Sequence, residues 1–187
     1  MTAATNQQFP VTLEDHLTEL AEARARLLAE IGSDPSETAP ALSESGRWSV
    51  AETVYHLHLA EAGISRMLEK ALRSGERHSR MSDDHLRAEW ERIRTLSGNR
   101  QMRANAPSSA VPANAPDLAE AIERLHQSRQ KLLEILNPTS LDELASISMP
   151  HPLEGVGKLT GAGWVSLIAY HELRHTEQIR EIKAGLA

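Results

Sequence analysis

Thr160 to Ala184 reads TGAGWVSLIAYHELRHTEQIREIKA, and its residues Trp164, Leu167, Ile168, His171, His175, Ile179 and Ile182 recur at helical spacing. Inside it, His171-Glu172-Leu173-Arg174-His175 is an H-E-x-x-H motif, two imidazoles one helical turn apart on a face where they can share a metal ion. In a zinc protease the intervening Glu is the general base, and an extended form of the motif adds a third ligand downstream. That form needs Gly at 178 and His at 181, where this chain has Gln178 and Glu181. The motif therefore reads as half of a site that is completed from upstream.

Composition narrows the background. With 187 residues, 40% hydrophobic and 25% charged, the chain suits one domain over residues 1–187 with a substantial core. Aromatics are 3%, so the core must come from aliphatic side chains, which favours packed helices and an all-α fold. There is no Cys, which removes disulfides, thiolate ligands and a cysteine nucleophile, and leaves any metal to His and carboxylates. Met1 to Pro10 has neither a basic n-region nor an apolar h-region, and no run approaches the ~20 apolar residues of a membrane span. A cytoplasmic protein with no membrane partner is expected. The net charge of −6, with arginines scattered along helices, argues against nucleic acid, and a small-molecule substrate is the expected partner.

Three further helices flank the motif. Thr12 to Ile31 carries Leu13, Leu17, Leu20, Leu27, Leu28 and Ile31, with Thr12 and Asp15 placed to cap its start and Gly32 and Pro35 to end it. Ser49-Val50-Ala51-Glu52 is a capping box for a second helix that reaches about Arg73 and stops at Ser74-Gly75. Asp117 to Leu136 forms the third, closed by Asn137-Pro138, and Thr160 to about Ala184 the fourth. The expected architecture is a four-helix bundle, with a short extra helix over Ser82 to about Leu96 and an extended, proline-rich crossover over Asn105 to Pro116 between helices two and three. The exposed faces of such helices are compatible with a homodimer.

Helical wheels choose the missing ligand. With His171 at zero, His175 falls at about +40°, Trp164 and Ile182 at about +20°, Leu167 at about −40°, Gln178 at about −20° and Glu172 at about +100°. The histidine pair faces the core, and Glu172 lies toward the edge of that arc. On helix two His56 shares an arc with Ala60, Gly63 and Met67, whereas His58 lies opposite with Ser65 and Glu69. His56 points inward beside small residues that leave room for a metal and a ligand. A single inward histidine is readily a core residue bonded to a neighbouring helix, but three of them in an aliphatic core need a common partner, and a divalent ion is the simplest.

Trp48-Ser49 followed by His56-Leu57, then His151-Pro152, Gly155, Trp164, His171, Arg174-His175 and Gln178-Ile179, resemble the DinB-like superfamily of bacterial metal-binding four-helix bundles. The resemblance spans the chain from the first helix to Ile182. It implies a three-histidine metal site, and by motif match the ligands are His56, His171 and His175. The family is similar in fold to bacillithiol transferases and to mycothiol-dependent maleylpyruvate isomerase.

Other residues each have two readings. Glu52 can orient His56, though its capping-box role already explains it. Gln178 can bond a metal-bound water or substrate, or be a buried amide bonded to a neighbouring helix. His151, in the loop Ser148 to Leu159, can reach over the site mouth as an acid or base, or be a plain surface residue. Glu172 remains a weak candidate base, and Arg174 suits a carboxylate partner better than an anionic substrate. Trp48 and Trp164 read as core anchors, His126 as half-exposed, and His16, His78 and His85 as having no identifiable partner. Three neutral imidazoles leave a dipositive ion with open positions, as in catalytic sites. Zn or Ni fits best, with Mn or Fe also suited to such donors. Activation of an exogenous low-molecular-weight thiol for transfer or isomerisation comes first, ahead of metal-dependent hydrolysis and of a non-catalytic metal- or ligand-binding bundle.

Overall fold

Side-chain caps fix where the long helices begin. Thr12 Oγ1 accepts the Asp15 N–H at 3.1 Å while Asp15 Oδ2 accepts the Thr12 N–H at 2.8 Å, and Ser49 and Glu52 make the same reciprocal pair at 3.1 and 2.7 Å. Asp117 and Thr160 cap two more helix starts through their side-chain oxygens. The computed structural model describes residues 8–32, 48–98, 105–153 and 155–185. Pro35, expected to help end the first helix, lies outside them.

The bundle consists of α1 (Leu13–Ile31), α2 (Val50–Ser74), α4 (Leu118–Leu136) and α6 (Gly161–Lys183), with α3 (Asp83–Gly98) and the short α5 (Leu141–Ala145) added to it. These four are the helices expected from the sequence, and α2 ends, as expected, at Gly75 in the left-handed conformation. The extra helix is longer than its expected bounds. It spans 16 residues and lays Leu86, Trp90 and Ile93 on α6. Its middle is locked to the start of α6 by Glu89, whose carboxylate accepts the Thr160 N–H and hydroxyl. That carboxylate occupies the space where a Cβ on Gly163 would stand, so the contact requires glycine.

The loop before α6 holds a two-stranded antiparallel hairpin, β1 (Ser148–Pro150) and β2 (Lys158–Thr160), paired in the register Met149↔Leu159. The all-α expectation lacked this element, because three-residue strands are too short to show alternation. The expected crossover contains one 3₁₀ turn, Ser108–Ala110.

α2 packs chiefly on α4, and α6 chiefly on α1 and α3. The buried apolar residues form two clusters. Leu20, Ala23, Leu68, Leu132 and Ala169 belong to one, and Leu27, Leu57, Leu125 and Ile179 to the other. Between them in every bundle helix lies one buried charge: Arg24 on α1, Glu61 on α2, Arg129 on α4 and Glu172 on α6. Arg24 Nη2 donates to Glu61 Oε2 at 3.0 Å and to Glu172 Oε1 at 2.6 Å. Arg129 donates through Nε to Glu61 Oε1 at 2.5 Å and through Nη2 to Glu172 Oε1 at 3.0 Å. The Nη1 groups cross over, Arg24 to the Leu125 carbonyl on α4 and Arg129 to the Leu20 carbonyl on α1. Ser128 Oγ completes the cluster at 2.6 Å from Glu61 Oε2.

A second polar cluster joins α1, α3 and α6. Glu19 accepts from Trp90 Nε1, Tyr170 Oη and Ser166 Oγ. The Ser166 hydroxyl proton is thus engaged, so His16 Nδ1, at 3.1 Å from Ser166 Oγ, is the donor to it. His16, for which the sequence offers no partner, is 3% exposed, and burial pushes its pKa down to about 4 from 6.5.

Two outcomes are expected. Glu61→Ala leaves two buried guanidiniums facing one carboxylate and should lower the unfolding free energy by about 3–5 kcal/mol in urea titrations. For His16, the neutral ring favoured by folding contributes stability that is complete above pH 6.5 and is lost as pH falls toward about 4. His16→Met should therefore flatten the pH dependence of unfolding over that window by up to about 1.4 kcal/mol per pH unit, measured by urea titration at several pH values.

Candidate metal centre

His56 on α2 and His171 and His175 on α6 meet on the seam between the two helix pairs. His171 Nε2 lies 3.2 Å from His56 Nε2 and 3.1 Å from His175 Nε2. Nitrogens bound tetrahedrally at about 2.0–2.1 Å from one zinc ion stand about 3.3 Å apart, so this spacing matches a shared metal. Among the described residues, these three form the one group of His, Cys, Asp or Glu able to hold an ion.

The outer nitrogens settle the tautomers. His56 Nδ1 is 2.7 Å from the Ala110 carbonyl oxygen, an acceptor, so Nδ1 carries the proton. His175 Nδ1 lies 2.8 Å from Gln178, whose Oε1 accepts from it. Both rings thereby turn an Nε2 lone pair toward His171. Without an ion, His171 Nε2–H can satisfy one of those lone pairs and not both, and a buried acceptor left unpaired costs about 1–3 kcal/mol. Protonation offers no relief. Burial pushes the pKa of His56 down, with the Ala110 contact partly opposing it. Burial also pushes His171 and His175 down, and the neighbouring histidines and Arg174 add to that shift. Three neutral donors held in this way can take a metal ion, the outer bonds of His56 and His175 fixing their rings as metal-site partners do.

The model of the DinB superfamily matches residues 19–179. The chain belongs to the DinB superfamily. It is similar to the uncharacterised protein YuaE of Bacillus subtilis (strain 168), 24% identical over 163 residues that cover 87% of this chain and 93% of that one. In fold it is similar to the crystal structure of TT2238, described as a four-helix bundle protein, with a TM-score of 0.53, 24% identity, and coverage of 90% of this chain and 98% of the other.

Around this DinB site the remaining candidates separate. Gln178 is occupied with orienting His175. Glu172 is not a base over the site: it is 1% exposed, and its Oε1 takes three guanidinium bonds in the charged layer. The reason is its position about 100° around α6 from His171, which aims it at α1 and α4. His151 follows β1, and its N–H is bonded to Gly157 while its ring stacks on Trp164 with centroids 5.3 Å apart. Its Nδ1 accepts the Leu153 N–H at 3.1 Å, so the neutral ring carries its proton on Nε2. Burial and the charge of Arg92 lower its pKa, and a positive charge on His151 is felt at His171. Arg174 Nη1 reaches the Ser97 carbonyl on α3 at 3.4 Å. Glu52 serves its capping box.

Trp48 departs from its expected role as a core anchor. It is half-buried, and its ring lies 4.6 Å from His56 and 6.4 Å from His175, forming an aromatic wall of the site. Gly63, on the His56 arc, borders open space: a Cβ there would meet no atom within 4 Å. His58 faces Tyr55 on the other side of α2, and His126 and His85 are exposed on other elements. The Ala110 carbonyl had no signal in the sequence, because a backbone acceptor is independent of residue type.

In the metal-free protein at neutral pH, His56 and His175 are expected as neutral Nδ1–H tautomers. Long-range ¹H–¹⁵N spectra of labelled protein check this, with protonated-type shifts at Nδ1 and unprotonated-type shifts at Nε2.

Proposed function

We propose that this DinB-superfamily protein is a metal-dependent enzyme acting on a small molecule, with His56, His171 and His175 as the ligands. The observation that carries the reading is the convergence of three Nε2 atoms while the outer nitrogens of His56 and His175 are bonded to Ala110 and Gln178. Zn or Ni suits the donor set best, and Mn or Fe also fits imidazole-rich sites with open positions. When bound, such an ion acidifies a water or a thiol at an open position and polarises a substrate oxygen.

The preferred reaction is transfer or isomerisation with a low-molecular-weight thiol as cosubstrate. The chain has no Cys, so a thiol must come from outside. Glu172, the carboxylate of the H-E-x-x-H motif, is engaged in the charged layer, which weakens the hydrolase alternative. In the chain itself, Trp48 supplies a flat apolar surface, and His151 offers a proton on Nε2 to substrate at the mouth.

Mass-spectrometric metal analysis of untagged protein should find about one ion per wild-type chain and clear loss in His56→Ala. Gln178→Leu should weaken metal binding about 10–100-fold, because His175 loses its orienting partner. Metal-loaded protein should conjugate an electrophile to bacillithiol, mycothiol or glutathione. Ester or amide turnover without thiol would select the hydrolase. Metal binding with neither activity would leave a binding bundle, and no metal uptake would remove the site.

A further inference from the structure

We infer that Arg24 and Arg129 are positioning residues for the three-histidine site, acting through Glu61 and Glu172 as a brace between the two helices that carry the ligands. This rests on the metal reading proposed above. His56 belongs to the α2–α4 pair and His171 and His175 to the α1–α6 pair, so the site depends on how two separately packed pairs are set against each other. Both guanidiniums span that division. Each donates to Glu61, five residues beyond His56 on α2, and to Glu172, next to His171 on α6.

The anchoring on α6 is concentrated on one atom. Glu172 Oε1 receives Arg24 Nε at 2.9 Å, Arg24 Nη2 at 2.6 Å and Arg129 Nη2 at 3.0 Å, while Oε2 has no hydrogen-bond partner among the described residues. A single oxygen pinned from α1 and α4 sets the rotation of α6 about its own axis. The magnitude decides whether this matters. At the ~6 Å radius of a side-chain tip, a 10° helix rotation moves an atom by about 1 Å. Metal–ligand distances are met only within about 0.2 Å. Aliphatic packing on either side tolerates small slips of that size more readily than a directional fork does.

The probe is Co(II), read by titration affinity and by its visible absorption band. Arg24→Lys/Arg129→Lys keeps both charges and removes both forks. A second protein, Arg24→Met/Glu61→Leu/Arg129→Met/Glu172→Leu, replaces the whole cluster by apolar side chains, which buried ion clusters often tolerate. Arg24→Lys alone is the mildest variant. Each is scored by cooperative melting well above the assay temperature. Folded variants are expected to bind Co(II) at least tenfold more weakly with a shifted band, Arg24→Lys least affected. A folded double or quadruple variant with wild-type affinity and band overturns the inference while leaving the metal site standing. Absence of Co(II) binding by wild type overturns the metal reading and the brace with it. Loss of folding in all three also overturns the inference, since the cluster would then determine the fold and not the site.

Discussion

The structure turns on four charges buried together, one from each helix of the bundle. Each ion alone carries a desolvation penalty of several kcal/mol, and the arrangement is tolerable because two guanidiniums and two carboxylates neutralise one another with directional bonds. Apolar contacts can be exchanged by sliding one helix along another, whereas this layer is satisfied in one register only. It divides the core into the Leu20–Leu68–Leu132 side and the Leu27–Leu57–Leu125 side, so each helix is referenced at its middle and both ends follow.

That layer also explains why the H-E-x-x-H motif has the form of a protease signature with a different logic. The two histidines face α2, while the Glu between them faces α1 and α4 and spends its charge on arginines. A general base must reach a substrate proton, and a carboxylate held 1% exposed beneath three guanidinium bonds cannot. The spacing that puts His171 and His175 on one face necessarily puts Glu172 on another, because adjacent residues differ by about 100° on a helix.

Much of this was legible in the sequence. The helix starts at Thr12, Ser49, Asp117 and Thr160 were readable because capping is local chemistry, and the inward sense of His56, His171 and His175 followed from periodicity. The charged layer is also written there, as charges interrupting apolar stripes. Arg24 stands between Leu20 and Leu27, Arg129 between Leu125 and Leu132, Glu61 between Leu57 and Leu68, and Glu172 between Ile168 and Ile179, all on apolar stripes with opposite signs that cancel. What the sequence did not carry were contacts made by backbone or by distant loops. The Ala110 carbonyl, the hairpin that seats His151 on Trp164, and the return of Trp48 to His56 depend on chain path and not on residue pattern.

Those two sources of information correspond to two parts of the site. Helices fix the ligand positions: α2 and α6 bring His56 Nε2 and His175 Nε2 each within hydrogen-bond distance of His171 Nε2, braced from α1 and α4. Connections fix most of what surrounds them, since Ala110 comes from the crossover, Trp48 from the segment before α2 and His151 from the turn after β1. A change in the connections can therefore alter the walls, the placement of His151 and the orientation of one imidazole without disturbing the register that the buried charges impose. The bundle sets where an ion can sit, and the loops set what meets it, which is why family membership bears on the site more directly than on the reaction.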